Sequence, residues 1–327
     1  MRFAMVAAIS VGVLFAIPTV GAIIDHDHID AVGSLPQTTM DAIGQQKWLF
    51  SHASVGGNMI SGMKNLRTAD PTRYQLQVSS VGYSSSLQQA DNPPSPTVNG
   101  RIYDCSRGNP GWQSKLTIFD RSVRNAGWRA PAVDVVMDKL CYIDEAASAT
   151  TYVDTLAAIE ADYPDTVVVY ITMPLTTGED SANVLRNRYN TAVRTYCDEH
   201  GKLLYDLADM EAHDPSGKPS TFTSGGKTYQ KLHSGYTSDG GHLNSAGGQR
   251  IAMGWYAVAA VIAAPPVPGD FTGDGRVDKA DLERFLACVS GPAIPHDGSA
   301  DSLKGDFDGD SDVDQDDFGR FQRNLHE

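Results

Sequence analysis

The chain has 327 residues, of which 41% are hydrophobic, and its formal net charge is −14 at pH 7. This length and apolar content allow one large domain or about two ordinary ones with buried cores, and they exclude a disordered chain. Residues 270–327 hold 15 Asp or Glu against 6 Lys or Arg. Positive charge is not clustered anywhere, which argues against a nucleic-acid partner.

Residues 1–22 have the features of a secretory signal peptide. Arg2 precedes an apolar run that ends with Val20 and Ala22, at the small-residue spacing that signal peptidase recognises. The run approaches the length of a membrane span, so a retained anchor is the alternative. We predict that the signal is removed and that the protein is secreted, without stable membrane insertion afterwards.

Residues 23–45 form a predicted N-terminal extension. Asp25, His26, Asp27 and His28 follow one another in it. Such a composition can bind a metal ion, but a solvated start of the mature chain is the simpler interpretation, and the sequence assigns the segment no role.

Residues 46–262 alternate short apolar runs with helical patterns. The runs that predict strands are 48–50, 76–81, 133–137, 167–172 and 203–207, and helical spacing is present at 152–163 and 183–200. This alternation predicts an α/β domain with a parallel sheet covered by helices. Ligands bind at the carboxyl ends of the strands in such sheets, so functional residues are expected there.

A serine lies where the first predicted strand of this domain meets a helical pattern. Ser54 follows the apolar run 48–50 and precedes apolar residues at helical spacing over 59–63. At such a turn a hydroxyl is exposed near unpaired helix amides, so the turn can present a nucleophile and help to hold an oxyanion. Ser51 is a competing serine, and an ordinary helix N-cap is the alternative role for Ser54.

A carboxylate and a histidine stand close together near the end of the same domain. Asp239 and His242 are three positions apart on a glycine-containing loop that precedes a helix-like run to residue 260. At this spacing the carboxylate can orient the imidazole while the imidazole accepts the proton of a serine. A loop histidine beside a helix cap at Asn244 is the alternative.

The order of these residues on an α/β scaffold resembles that of the SGNH (GDSL-like) hydrolases, over roughly residues 46–260. The similar segments are 50–60, 109–111, 139–144, 172–175 and 236–247. The resemblance implies a three-layer, flavodoxin-like parallel sheet with Ser54 as nucleophile, His242 as general base and Asp239 as the acid that orients it. It also implies ester hydrolysis that needs no metal or other cofactor.

The donors that would bind the oxyanion are harder to identify. The predicted strand 133–137 is not followed by the family's G-x-N-D, so the oxyanion asparagine has no clear counterpart. Asn109 and Gly111, in a loop rich in Gly and Pro, are candidate donors, and a plain turn explains them equally well. Lys139 at the end of that strand is either structural or in contact with the substrate.

Four cysteines leave the redox state open. Cys105, Cys141, Cys197 and Cys288 are compatible with disulfides in an oxidising compartment and equally with free thiols. Cys141, activated by His242, is an alternative nucleophile, although a structural cysteine explains it more simply.

The C-terminal part begins after a linker at 263–269, which holds three prolines in seven residues. The sequence DFTGDGRVDKAD at 270–281 returns as DFDGDSDVDQDD at 306–317. Oxygen-bearing side chains occupy positions 1, 3, 5, 9 and 12 of each copy, as an EF-hand-like calcium loop requires. The predicted ligands are Asp270, Thr272, Asp274, Asp278 and Asp281 in the first copy and Asp306, Asp308, Asp310, Asp314 and Asp317 in the second.

These two loops resemble the duplicated loop-helix units of type I dockerins, over residues 270–327. Gly275 occupies the sharp-turn position 6 of the first loop, whereas Ser311 in the second predicts a slightly strained turn. A helical segment follows each loop, with no obvious helix before it. The resemblance implies a small helical module that folds with two calcium ions and docks onto a cohesin-like partner. A calcium-dependent attachment or stability module without a protein receptor is the alternative.

Together these features predict a secreted serine esterase with a calcium-dependent attachment module. Its expected substrate is an O-acyl ester, first of all an O-acetyl ester, on a carbohydrate or polysaccharide. An ester of a lipid or small molecule is an alternative substrate. The alternative class is a non-catalytic carbohydrate-binding or assembly protein on a hydrolase scaffold, which the altered oxyanion segment favours.

Overall fold

A computed structural model describes residues 22–264, 268–271 and 277–325. The predicted signal peptide apart from Ala22, the centre of the predicted linker and residues 272–276 of the first acidic loop lie outside these ranges. The strands are β1 (Ile23–Ile24), β2 (Lys47–His52), β3 (Gln77–Val81), β4 (Tyr83–Ser84), β5 (Gln89–Ala90), β6 (Arg101–Ser106), β7 (Val135–Asp138), β8 (Val167–Ile171), β9 (Leu204–Tyr205), β10 (Thr221–Ser224) and β11 (Lys227–Gln230). The α-helices are α1 (Gln37–Ile43), α2 (Val55–Ala69), α3 (Trp112–Arg124), α4 (Ala149–Asp162), α5 (Ser181–Glu199), α6 (Leu207–Ala212), α7 (Ser245–Ala263), α8 (Lys279–Cys288), α9 (Ala300–Gly305) and α10 (Gln315–Phe321).

Seven strands form one parallel sheet in the order β1-β9-β8-β7-β2-β6-β3. Within it, β6, β2, β7, β8 and β9 follow the 2-1-3-4-5 order of flavodoxin-like sheets. The predicted α/β class with a parallel sheet is therefore confirmed. The strand order reverses at β2, so the loops after β2 and its neighbours β6 and β7 border the crevice where such folds bind ligands.

Two helical layers cover the sheet and bury both faces of its strands. Helices α1, α2 and α7 pack on the side that receives Trp48 and Phe50, whereas α3, α4 and α5 pack on the side that receives Leu49. Successive residues of a strand point to opposite faces, so a strand covered on both sides reads as a continuous apolar run. This is why β2 was predictable from sequence.

The structure also corrects several predicted elements. Strand β6 and helix α3 were not predicted. The β6 sequence RIYDCS is neither a continuous apolar run nor a strict alternation, so it carries no clear strand signal. Leu207, predicted as the end of a strand, instead begins helix α6 after the two-residue strand β9. The segment predicted as a solvated extension belongs to the fold, because β1 pairs with β9 and helix α1 buries Met40 and Ile43.

The C-terminal residues form a small helical module with its own apolar cluster. The cluster consists of Phe271, Val277, Phe285, Val313 and Phe321. Helix α9 directly precedes the second acidic loop, so the prediction that no helix comes before a loop was wrong there. The six-residue helix ADSLKG was not predictable because its apolar residue Leu303 is exposed and leaves no amphipathic pattern.

Two further sequence questions concern cysteines and membranes. All four cysteines are free thiols, and three of them, Cys105, Cys141 and Cys197, are buried. In the part of the chain that the structure describes, no helix combines the length and apolar character of a membrane span.

Candidate active site

Ser54 occupies a strained turn between β2 and α2. Its backbone angles are φ 56° and ψ −116°, although a side chain disfavours positive φ. The Ser54 side chain makes no capping hydrogen bond to α2, so its hydroxyl is left for another partner. The turn is tight: a Cβ on Gly56 would lie 2.4 Å from the ring of His52. Glycine at position 56 is therefore required for the close approach of helix and strand.

The structure brings the three predicted catalytic side chains into one hydrogen-bonded chain. The Ser54 hydroxyl lies 2.7 Å from His242 Nε2, and His242 Nδ1 lies 2.7 Å from Asp239 Oδ2. These distances suit a hydroxyl that donates to one ring nitrogen while the other donates to the carboxylate. The arrangement joins the turn after β2 to the loop before α7, 188 positions later in the chain.

Asp239 is held by its own loop as well as by the imidazole. Its Oδ1 accepts hydrogen bonds from the backbone N–H groups of Gly241 at 2.9 Å and His242 at 2.8 Å. These backbone donors, together with the His242 side chain, hold the pKa of Asp239 well below its usual value. Asp239 therefore stays ionised across the neutral range and can stabilise an imidazolium beside it.

Tyr142 borders the same site and was not assigned a role from the sequence. It lies just beyond β7, and its ring meets the His242 ring edge-on with 5.6 Å between centroids. The nearby Ser54 hydroxyl lowers the pKa of Tyr142, but burial and the charge of Asp239 outweigh it and raise that pKa above its usual value. The phenol is therefore a protonated donor beside the hydroxyl of Ser54. The signal that could have found it is its position in the segment that replaces the family's oxyanion asparagine.

The two candidate oxyanion donors lie elsewhere on the rim. Asn109 and Gly111 are in the loop between β6 and α3, and both are exposed. Gly111 is the N-cap of α3. Within the described part of the chain, neither forms a hydrogen bond with Ser54 or His242. The loop itself adjoins the site, because the Arg107 N–H donates to the His52 carbonyl at 3.0 Å.

The alternative nucleophiles are both buried. Cys141 is fully buried, and its thiol points to the Ala53 carbonyl at 3.6 Å. Ser51 is also buried, inside β2. His242 Nε2 faces Ser54 instead. The geometry therefore favours Ser54 over both competitors.

A buried layer of charged groups lies beneath the site. Lys139 is fully buried, and its ammonium donates to the Leu140 carbonyl at 3.0 Å. It pairs with neither neighbouring aspartate, because Asp138 binds Arg107 and Asp144 binds Lys115. Burial lowers the pKa of Lys139. Of the two roles predicted for Lys139, these contacts support the structural one over contact with the substrate.

Glu211 in α6 is also buried, and we expect it to make the stability of the fold depend on pH. Burial raises its pKa to about 8, against the opposing effects of the Leu175 N–H and of Lys139. A carboxyl that binds its proton more tightly in the folded state stabilises the fold at low pH and loses that contribution as pH rises through the folded-state pKa. The contribution of Glu211 to the free energy of unfolding should therefore fall from about pH 5 to about pH 8, by on the order of a few kcal/mol.

We expect Glu211→Gln to remove this slope, because the amide does not titrate. Urea unfolding at several pH values measures the effect, with the exposed Glu199→Gln as a matched control. Equal slopes in wild type and Glu211→Gln would contradict the assignment.

The second acidic loop in the C-terminal module folds around its first aspartate. Asp306 accepts backbone hydrogen bonds from Gly309 at 2.7 Å and Ser311 at 2.9 Å. Carboxylate oxygens of Asp306, Asp308 and Asp317 lie within 4.8 Å of one another. Of the first loop, Asp270, Asp278 and Asp281 are described, whereas the predicted ligands Thr272 and Asp274 lie outside the described residues.

Among known proteins, the chain is similar to several solved structures. No protein-family model matches the chain, and no curated protein matches it. A GDSL-like lipase from Bacteroides thetaiotaomicron is 10% identical with a TM-score of 0.40, over 69% of this chain and 92% of that one. A catalytic mutant of Axe2, an acetylxylan esterase from Geobacillus stearothermophilus, is 13% identical with a TM-score of 0.39, over 65% of this chain and 94% of that one. At these identities, the function has to be argued from the site itself.

Proposed function

We propose that the protein is a serine esterase of the SGNH type that cleaves O-acyl esters. The observation that carries the proposal is the chain of hydrogen bonds from Ser54 through His242 to Asp239. Each member has the partner that its role requires: a hydroxyl beside a base, and a base beside an ionised carboxylate.

The proposed reaction has two halves that use the same groups. His242 Nε2 takes the proton of Ser54 as the hydroxyl oxygen attacks the acyl carbon, and the C–O bond to the alcohol breaks as His242 returns the proton to the leaving oxygen. Water then attacks the acyl-enzyme with His242 again as base, which releases the acid and restores Ser54. Asp239 stays ionised and stabilises the imidazolium in both halves.

The oxyanion formed in each half needs donors, and the proposal assigns two. The Ser54 backbone N–H is at the N-terminus of α2, where helix amides are unpaired. The Tyr142 hydroxyl is the second donor, since it already lies beside Ser54. A phenol here takes the place that the family gives to an asparagine.

Tyr142→Phe should therefore lower kcat about 10²- to 10³-fold while KM changes little, because an oxyanion donor acts mainly in the transition state. Steady-state kinetics on a chromogenic acetate ester measure this. Tyr163→Phe, on the far side of the domain at the end of α4, is the matched control and should keep wild-type kinetics. A rise in KM with kcat unchanged would show that Tyr142 binds substrate without stabilising the oxyanion.

The proposed substrate is an acyl group, first of all acetyl, carried by a carbohydrate. The side chains of His242 and Asp239 are 43% and 55% exposed, so the site is open to bulky alcohols. An open site suits an ester on a polymer better than a lipid, which a deep apolar pocket would enclose. The resemblance of the C-terminal residues to dockerins points in the same direction.

The test of this proposal is acetate release by the secreted, mature chain. We expect turnover of a short-chain chromogenic ester, release of acetate from acetylated xylan, and covalent labelling of Ser54 by a fluorophosphonate, located by peptide mass spectrometry. Labelling without turnover on any ester, or no labelling at all, would favour the alternative, a carbohydrate-binding protein on a hydrolase scaffold.

We also propose that residues 270–327 bind two calcium ions and attach the enzyme to a cohesin-like partner. The sequence repeat supports this, as does the second loop, whose carboxylates of Asp306, Asp308 and Asp317 converge. Oxygen ligands in a loop of this length suit a hard cation. Chelation with EGTA should loosen the module and leave ester hydrolysis unchanged, since the catalytic chain holds no calcium ligand.

Ser311 supplies a sharper test of the second calcium site. It adopts φ 77°, a left-handed conformation that a side chain makes unfavourable by about 1 kcal/mol or more. Ser311→Gly should remove this strain and tighten calcium binding about fivefold, measured by calorimetric titration. Ser311→Ala, which keeps the Cβ, should show no such gain. Equal dissociation constants for the two variants would contradict the role of this turn.

A further inference from the structure

A second cluster of metal-ligating side chains lies at the edge of the sheet, away from Ser54. His26 follows β1, while Asp209 and His213 belong to α6 and the residue that ends it. One donor atom from each of the three lies within 4.8 Å of the others. Both elements leave the carboxyl ends of neighbouring parallel strands, β1 and β9, where α/β folds place ligand sites.

The donors converge on a single carboxylate oxygen. Nδ1 of His26 is in contact with Asp209 Oδ1. Nδ1 of His213 lies 3.4 Å from the same oxygen and is hydrogen-bonded to the Asp209 backbone carbonyl at 2.8 Å, a contact of the kind that orients metal-binding histidines in proteins. The two imidazole rings stack with 3.5 Å between centroids and 4° between planes, so they present their nitrogens side by side. The exposed fractions of these side chains are 17%, 15% and 10% for His26, Asp209 and His213.

The charges around the cluster favour a cation. Carboxylate oxygens of Asp25 and Asp27 lie within 4.8 Å of the His26 ring. Asp206 accepts a hydrogen bond from the Asp209 N–H at 3.2 Å and binds the guanidinium of Arg194 at 2.5 and 2.8 Å. The second oxygen of Asp209 is oriented by a further hydrogen bond, from Gln230 at 2.9 Å. Such outer contacts hold a ligating carboxylate in place in metal sites.

We propose that His26, Asp209 and His213 bind one zinc ion, or a similar transition-metal ion, that fastens the segment after β1 to α6. Two imidazoles and a carboxylate are the donor set of borderline metals, unlike the all-oxygen loops of the C-terminal module. Zinc bonds of about 2.0 to 2.2 Å require donor atoms roughly 3.3 Å apart, so small side-chain rotations close the observed cluster around an ion. The site is separate from the proposed catalytic chain: β9, β8 and β7 stand between β1 and β2, a span of about 19 Å at the usual strand spacing.

Zinc titration of the untagged, mature protein tests the site. The protein is first stripped with a chelator and then saturated with calcium, so that the acidic loops are filled. We expect calorimetry to show one tight zinc equivalent per chain, and cobalt to give the intense visible absorption of a four-coordinate site. His26→Gln and His213→Gln should each weaken binding at least tenfold.

His28→Gln is the matched control, because His28 is a neighbouring, half-exposed histidine that pairs with Asp25. It should keep wild-type zinc affinity. Near-ultraviolet circular dichroism checks that each variant is folded, and Asp209→Asn provides a third variant should a histidine variant fail. The assignment is overturned if wild type binds no zinc, if the folded variants keep their affinity, or if His28→Gln weakens binding as much as His26→Gln does.

Discussion

Ser54→Ala is expected to lower kcat by about 10⁵-fold or more, which leaves only the background that binding and oxyanion donors provide. The reason is chemical: without the hydroxyl, His242 has no nucleophile to deprotonate and no acyl-enzyme can form. Initial rates on a chromogenic acetate ester, together with loss of fluorophosphonate labelling, measure the effect. The folded state should survive, because the side chain of Ser54 makes no capping bond to α2.

Two further substitutions make this result specific to Ser54. Ser51→Ala removes the competing serine, which is buried in β2, and should keep wild-type turnover. Ser54→Gly should be inactive yet more stable by about 1 kcal/mol, because glycine relieves the strain of φ 56°. Residual activity of Ser54→Ala close to wild type would end the serine-esterase proposal.

How far the sequence predicted this site depends on how local each signal was. The turn at Ser54 and the spacing of Asp239 and His242 are short-range patterns, and each was visible without a fold. That the turn at Ser54 and the loop at Asp239 and His242 lie together in the fold could not be derived from either segment alone. It depends on the parallel sheet, which sets β2 beside β7, and on α7, which packs against α2 and fixes the loop before it.

The residues to which the sequence assigned no role were missed for a different reason. Tyr142 carries no pattern of its own, and only its position beside Ser54 and His242 gives it significance. His26 lay in a segment whose composition fits a solvated terminus, and the pairing of β1 with β9 that buries it involves two-residue strands. Strands this short leave no periodic signal.

Asp239→Asn is the second substitution with a large expected effect, a fall of about 10³- to 10⁴-fold in kcat. The asparagine oxygen can still accept the backbone hydrogen bonds of Gly241 and His242, so the loop should keep its shape. In the wild-type structure Asp239 Oδ2 lies 2.7 Å from His242 Nδ1. In the variant the amide nitrogen takes the place of this oxygen and faces His242 Nδ1. Because an amide N–H donates, Nδ1 must become the acceptor and the ring proton moves to Nε2. In that tautomer the imidazole cannot accept the proton of Ser54.

Kinetics and labelling together separate this tautomer effect from simple disruption. Fluorophosphonate labelling of Ser54 should slow in parallel with turnover, because both need Nε2 as a base, while thermal unfolding stays near wild type. Asp214→Asn is the matched control: Asp214 is partly exposed, and its carboxylate also accepts backbone N–H bonds in a loop, from Ser216 and Lys218. It should change neither rate. If Asp239→Asn kept full activity, His242 would not depend on this carboxylate, and the site would work as a serine–histidine pair.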